Sequence, residues 1–142
     1  MEFENYTERV KGFFQSAQTL ALRSKHQQLS PEHILKVLIE DKEGLAANLI
    51  RAAGGDPQRA LAATDAALAK LPKVEGGSGQ IYLAPETARL FDSAEQIAEK
   101  AGDSYVTAER LLLALALAQG TASARALADA GVTPQGLNAA IN

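Results

Sequence analysis

The chain has no cysteine. That excludes disulfides, thiol nucleophiles and cysteine-ligated zinc, and it points to a reducing, cytoplasmic compartment. Tryptophan is also absent, and aromatic residues make up only 5% of the 142 positions. Long apolar runs are lacking: the longest, Leu111 to Ala118, is far below the roughly 20 residues needed to span a bilayer, so no membrane role is expected. The opening MEFENYTERV has early acids and no apolar stretch, unlike a secretory signal. No basic block stands out and the net charge is −3, which argues against nucleic-acid binding. Runs of β-branched residues are nearly missing, so strands are not expected to dominate.

What remains is a chain rich in Ala and Leu, both strong helix formers. Its punctuation is helical. Asn5, with Glu8 three residues on, fits a capping box opening a first helix; Val10, Phe13, Phe14, Ala17, Leu20 and Ala21 follow at helical spacing. Ser30-Pro31-Glu32 starts a second helix, because proline's missing amide costs nothing at the first helical position. A third, short helix over 45–53 stops at Gly54-Gly55, and Asp56-Pro57 opens a fourth that ends at Leu71-Pro72. Pro72 to Leu83 contains Gly76-Gly77-Ser78-Gly79, a flexible-linker composition with nothing to bury. Beyond it the signals recur: Pro85, Thr107-Ala108-Glu109, Ala130-Gly131 and Thr133-Pro134.

A shift of 77 residues lays 7–65 on 84–142 without a gap and gives 14 identities in 59 positions. Six are alanines, uninformative in this composition. The other eight, among them Phe14/Phe91, Glu32/Glu109, Leu35/Leu112, Gly54/Gly131 and Pro57/Pro134, fall on caps, stops and core positions. Internal duplication follows. The expected fold is all-α: eight helices as two pseudo-symmetric four-helix repeats in one domain, repeat one at 1–71, a linker at 72–83 and repeat two at 84–142. Each repeat alone is too small to bury a sufficient core, so the two should pack together with a groove where they meet.

Two segments carry a family resemblance. His26-Gln-Gln-Leu-Ser-Pro-Glu-His-Ile-Leu35 and Asp103-Ser-Tyr-Val-Thr-Ala-Glu-Arg-Leu-Leu112 resemble the double Clp repeat of the N-terminal domains of Hsp100/Clp ATPases. Leu71-Pro-Lys-Val-Glu-Gly76 is most similar to the ClpB disaggregase branch. The resemblance implies a monomeric domain tethered to the AAA+ modules of a hexameric parent. There it helps capture unfolded or aggregated polypeptide, in partnership with an Hsp70 system. ATP and magnesium are expected only in the motor domains; this chain has no G-x-x-x-x-G-K-[ST] motif, so it is not expected to be an enzyme and needs no cofactor. The alternative is adaptor docking in a protease-linked Clp unfoldase.

Catalysis finds no footing: nothing orients a Ser-His-Asp set, and two histidines without a third ligand do not make a zinc site, leaving His26 and His33 to packing or capping. Glu32 and Glu109 hold the same place in both repeats. They either complement the dipole of the helix they start or form a duplicated acidic contact for cationic groups. The resemblance implies client-surface roles for Thr7, Asp103 and Glu109; Arg110 stands where many relatives carry an apolar residue. In the protease-linked branch the matching glutamates act with a threonine in each repeat to bind phosphorylated arginine, and Ala84 here departs from that pattern. The face of Leu111 to Leu117 is expected in the core, whereas Leu90, Phe91, Tyr82 and Tyr105 are candidates for a partly exposed apolar strip.

Overall fold

In a computed structural model, residues 3–76 and 79–142 are described. Among them, eight helices and two short strands run in the order α1 (Glu8–Arg23), β1 (Gln28–Leu29), α2 (Pro31–Ile39), α3 (Leu45–Ala52), α4 (Pro57–Ala69), β2 (Tyr82–Leu83), α5 (Pro85–Lys100), α6 (Ala108–Leu117), α7 (Ala122–Asp129) and α8 (Pro134–Ile141). Adding 77 to the limits of α1 and α3 gives those of α5 and α7. Most helix starts lie where the side-chain chemistry puts them. Asp56, Thr107, Thr121 and Thr133 each accept a backbone N–H in the first turn, and Pro31, Pro57, Pro85 and Pro134 sit just inside.

The first helix starts later than the Asn5–Glu8 pattern suggests. Its cap is Thr7, whose Oγ1 accepts from the Val10 N–H at 3.2 Å. The main-chain groups on either side of Tyr6 pair elsewhere: the Val106 N–H donates to the Asn5 carbonyl at 2.7 Å, and the Thr7 N–H to the Val106 carbonyl at 3.2 Å, with Thr7 extended. The other repeat answers with the same crossing. There β1 and β2 pair in parallel, Gln28 opposite Tyr82 and Leu29 opposite Leu83, and the Ala84 N–H donates to the Leu29 carbonyl at 3.2 Å. The segment entering each repeat therefore binds the segment before the second helix of the other.

Helices cross over as well: α3 packs on α8 and α4 on α7, so each repeat is closed by its partner. The Gly54-Gly55 turn meets the Gly131-Val132 turn near the middle of the molecule. A Cβ on Gly55 would lie 2.5 Å from Val132 Cγ2 and 3.0 Å from the Ala130 carbonyl, so this approach requires glycine. One core results. Phe14 and Phe91, equivalent under the shift, have ring centroids 4.7 Å apart, and Phe3 and Tyr6 add edge-on rings. Around them Ile34, Leu35, Leu38, Leu111, Leu112 and Leu115 are fully buried. Leu117, placed in the core by its pattern, is 45% exposed at the end of α6. No single helix among the described residues is long and apolar enough to cross a membrane.

The stretch at 72–83 is no free tether, although Gly77 and Ser78 of its glycine-rich centre lie outside the described residues. The Val74 N–H donates to the Lys25 carbonyl and the Tyr82 N–H to the Gln27 carbonyl, both at 2.8 Å, and Ile81 packs against the core. Composition reports local preference, not main-chain pairing across fifty residues.

Candidate functional site

The crossing of Asn5–Thr7 with Ser104–Val106 forms one wall of an open cavity of about 400 Å³, lined by Asn5, Glu95, Glu99, Gly102, Asp103 and Tyr105. Three of these linings are acids. Glu95 is fixed from below, where the Tyr6 hydroxyl donates to its carboxylate at 2.5 Å. Burial and that carboxylate hold the Tyr6 phenol far above its ordinary pKa, so it stays a donor. Asp103 accepts from Arg110 Nε at 3.0 Å, which ties the loop to the first turn of α6. That turn is itself capped by Thr107 Oγ1, accepting from the Arg110 N–H. Arg110 thus neutralises Asp103, while Glu95 and Glu99 leave the rim negative. Tyr105 is 53% exposed beside them and supplies an aromatic face. Acids around an exposed ring can hold an extended chain through its cationic and apolar side chains.

The structure gathers Thr7, Asp103, Tyr105 and Arg110 at this crossing. Glu109 is half-buried in the first turn of α6. Three other candidates do not belong to an accessible surface. Leu90 and Phe91 are each 1% exposed, because the face of α5 that carries them is the one turned to the shared core. Glu32 is 6% exposed. Its carboxylate lies at the start of α7, accepting from the Ser123 backbone, and burial raises its pKa despite its own helix start. Desolvation outweighs the backbone N–H groups that favour the charged form, and the mostly buried Glu32 lines a cavity with Arg125 rather than standing on the open surface.

Glu95 and Glu99 were not singled out by the sequence. With Asp92 they make a ladder of like charges at i, i+3 and i+7 along α5, an arrangement that weakens an isolated helix and so carries a readable signal. A second unread feature is the counterpart of Asp103–Arg110. The shifted positions hold His26 and His33, with Nδ1 of the first 2.8 Å from Nε2 of the second. His33 Nδ1 accepts from the Ser30 N–H at 2.9 Å, completing the capping box of α2. Its proton is therefore on Nε2, which donates to His26 Nδ1, and His26 keeps a proton on a buried Nε2 that has no acceptor among the described residues. One ring nitrogen of each histidine is spent on the other, and among the described residues no group of three or more His, Cys, Asp or Glu side chains is placed to hold a metal ion.

Residues 5–130 match the family described as the Clp repeat (R) N-terminal domain. The chain belongs to that family. Clp repeat chaperones called ClpB resemble it over its whole length: 63% identity in Rhodopseudomonas palustris and 58% in Rhizobium meliloti, in each case across 100% of this chain and 16% of the relative. The chain thus spans about one-sixth of the length of the relatives it matches. Solved structures share the fold. The Hsp104 N-terminal domain from Candida albicans superposes with a TM-score of 0.83 at 22% identity, covering 96% of this chain and 89% of that one. The N-terminal domain of ClpV1 from E. coli gives 0.78 at 20% identity, covering 96% and 83%.

Proposed function

We propose that this domain makes reversible contact with unfolded or aggregated polypeptide for a ClpB-type disaggregase, and that the contact lies in the cleft of Asn5, Glu95, Glu99, Asp103 and Tyr105. The observation that carries this reading is an exposed aromatic ring beside an acid-lined cavity of about 400 Å³. Thr7 and Arg110 shape the cleft, the first by starting α1 where the crossing ends, the second by holding Asp103.

Burial of one large apolar side chain contributes roughly 1.5–3 kcal/mol, and association costs several. A few such contacts leave micromolar or weaker binding at one domain. In a hexameric parent, tethered copies raise capture through effective concentration. The AAA+ modules of that parent would carry the ATP chemistry, and an Hsp70 system would work upstream.

The test is titration of the domain with a permanently unfolded protein. Tyr105→Ala should weaken binding about tenfold, equivalent to about 1.4 kcal/mol, with the melting temperature unchanged. Binding to folded adaptor proteins alone, with none to the unfolded chain, would transfer the domain to the adaptor-docking class.

A further inference from the structure

The shift that relates the repeats also relates two clefts. Glu99, Gly102, Asp103 and Ser104 line the cleft described above, and their counterparts Leu22, Lys25, His26 and Gln27 line a cavity in the first repeat. In the second repeat this place is open. In the first, the chain between the repeats runs through it: Val74, Glu75 and Gly76 line the same cavity, of about 220 Å³. On the other side of that strand of chain, Leu71, Pro72 and Val74 border a further 280 Å³, again against His26.

We propose that the first repeat carries a second polypeptide site, selective for an apolar residue followed by an acid, which residues 71–76 occupy as a displaceable internal ligand. The inference rests on the reading of the domain as a polypeptide binder.

The binding mode is visible in the strap itself. Its Val74 N–H donates to the Lys25 carbonyl at 2.8 Å, Glu75 pairs with Lys25 Nζ at 2.9 Å, and the chain turns at Glu75-Gly76. Lys25 has φ +62°, while its counterpart is Gly102 at +78°. Glycine is the comfortable residue there, and a lysine accepts a strained backbone. Its side chain is accounted for by the acid it holds. Leu22, 47% exposed, stands where the second cleft has Glu99, so the first cleft is the more apolar. The strap is also an imperfect occupant. It leaves cavities on both sides, and its ion pair is solvent-exposed at 54% and 78% and therefore weak. It offers no acceptor to His26 Nε2, on a side chain 94% buried, since His26 is 6% exposed. Nδ1 faces His33, and the His26 side chain lines both cavities beside the strap. A peptide carbonyl placed there would satisfy a donor that the strap does not.

A peptide with the sequence of residues 70–76 is the direct probe. A variant with 71–75 replaced by alternating glycine and serine should bind it at least about tenfold more tightly than the parent domain, in which the tethered strap competes at high effective concentration. Shift changes should centre on Leu22 and Lys25 to Gln27, and a peptide with lysine in place of the glutamate should bind the variant more weakly. A natively folded variant that does not bind the peptide, or binds it at Tyr105, overturns the inference. Hydrogen exchange on the unaltered domain covers the case of a variant that does not fold. Saturating peptide should accelerate exchange of the Val74 amide and not that of Ala84; no change at Val74 overturns the inference as well. Binding of an unfolded protein at Tyr105, recorded on the same unaltered domain, reports the function proposed above by itself, so the two can fail separately.

Discussion

At the scale of single residues, buried ionisable groups set how stability follows pH. His33 is fully buried and its pKa is pushed down from 6.5 to about 4, first by desolvation and then by His26. His26 is lowered too, by burial and by Lys73. The folded state therefore binds fewer protons than the unfolded chain between about pH 6.5 and 4. Stability contributed by the pair is complete above the unfolded pKa and is lost as pH falls through that window. A protonated His33 would also stop accepting from Ser30 and uncap α2. Denaturant melts at stepped pH should show this decline. His33→Gln keeps an acceptor for Ser30 and a donor for His26, so it should flatten the decline and keep most of the stability at pH 7. His33→Ala should lose about 2 kcal/mol or more at neutral pH, because it strands the Ser30 N–H and opens a cavity. Glu32 runs the other way. Its raised pKa means that the ionised form opposes folding, so Glu32→Gln should raise the melting temperature at pH 7. A fall on that substitution would return Glu32 to a helix-start role.

At the scale of elements, the helices were largely legible and the pairings between them were not. Ser30-Pro31, Asp56-Pro57 and Thr133-Pro134 mark helix starts because capping is local chemistry between neighbours in sequence. Asn5 misleads for the opposite reason: its carbonyl is claimed by Val106, 101 residues on, which moves the start of α1 to Glu8. Leu90 and Phe91 mislead in the same way. Helical spacing puts them on an apolar face, but only the packing of the second repeat on the first decides that this face is interior. Packing or capping is all that the sequence gives the two histidines, and the Ser30–His33 bond is capping; the bond from His33 to His26 depends on the chain folding back between them, which no local pattern encodes. Gly55 tests the meeting of the two turns. Gly55→Ala should cost about 1–3 kcal/mol by overpacking against Val132 and the Ala130 carbonyl, read as a lowered midpoint in urea with an unchanged slope.

At the scale of the whole molecule, the two repeats share one core. Segment crossings, the α3–α8 and α4–α7 contacts and the Phe14–Phe91 pair all join one repeat to the other. Residues 1–71 or 84–142 produced alone should lack cooperative thermal unfolding by circular dichroism, and a cooperative transition in either would show that the repeats are independent. The near-symmetry does not make the surfaces equal. One cleft is acidic and open, with Glu95, Glu99 and Asp103 around it; the other carries Leu22, Lys25 and His26 beneath the chain that joins the repeats. The duplication could be read from the 77-residue shift, whereas this asymmetry arises from where the connection runs, which no local pattern encodes. The proposed function places polypeptide at the open cleft. Chemical-shift mapping with a permanently unfolded protein tests it most directly: the largest changes are expected at Asn5 to Thr7, Glu95, Glu99 and Asp103 to Val106. Changes confined to other surfaces, or none at saturating concentration, would contradict it.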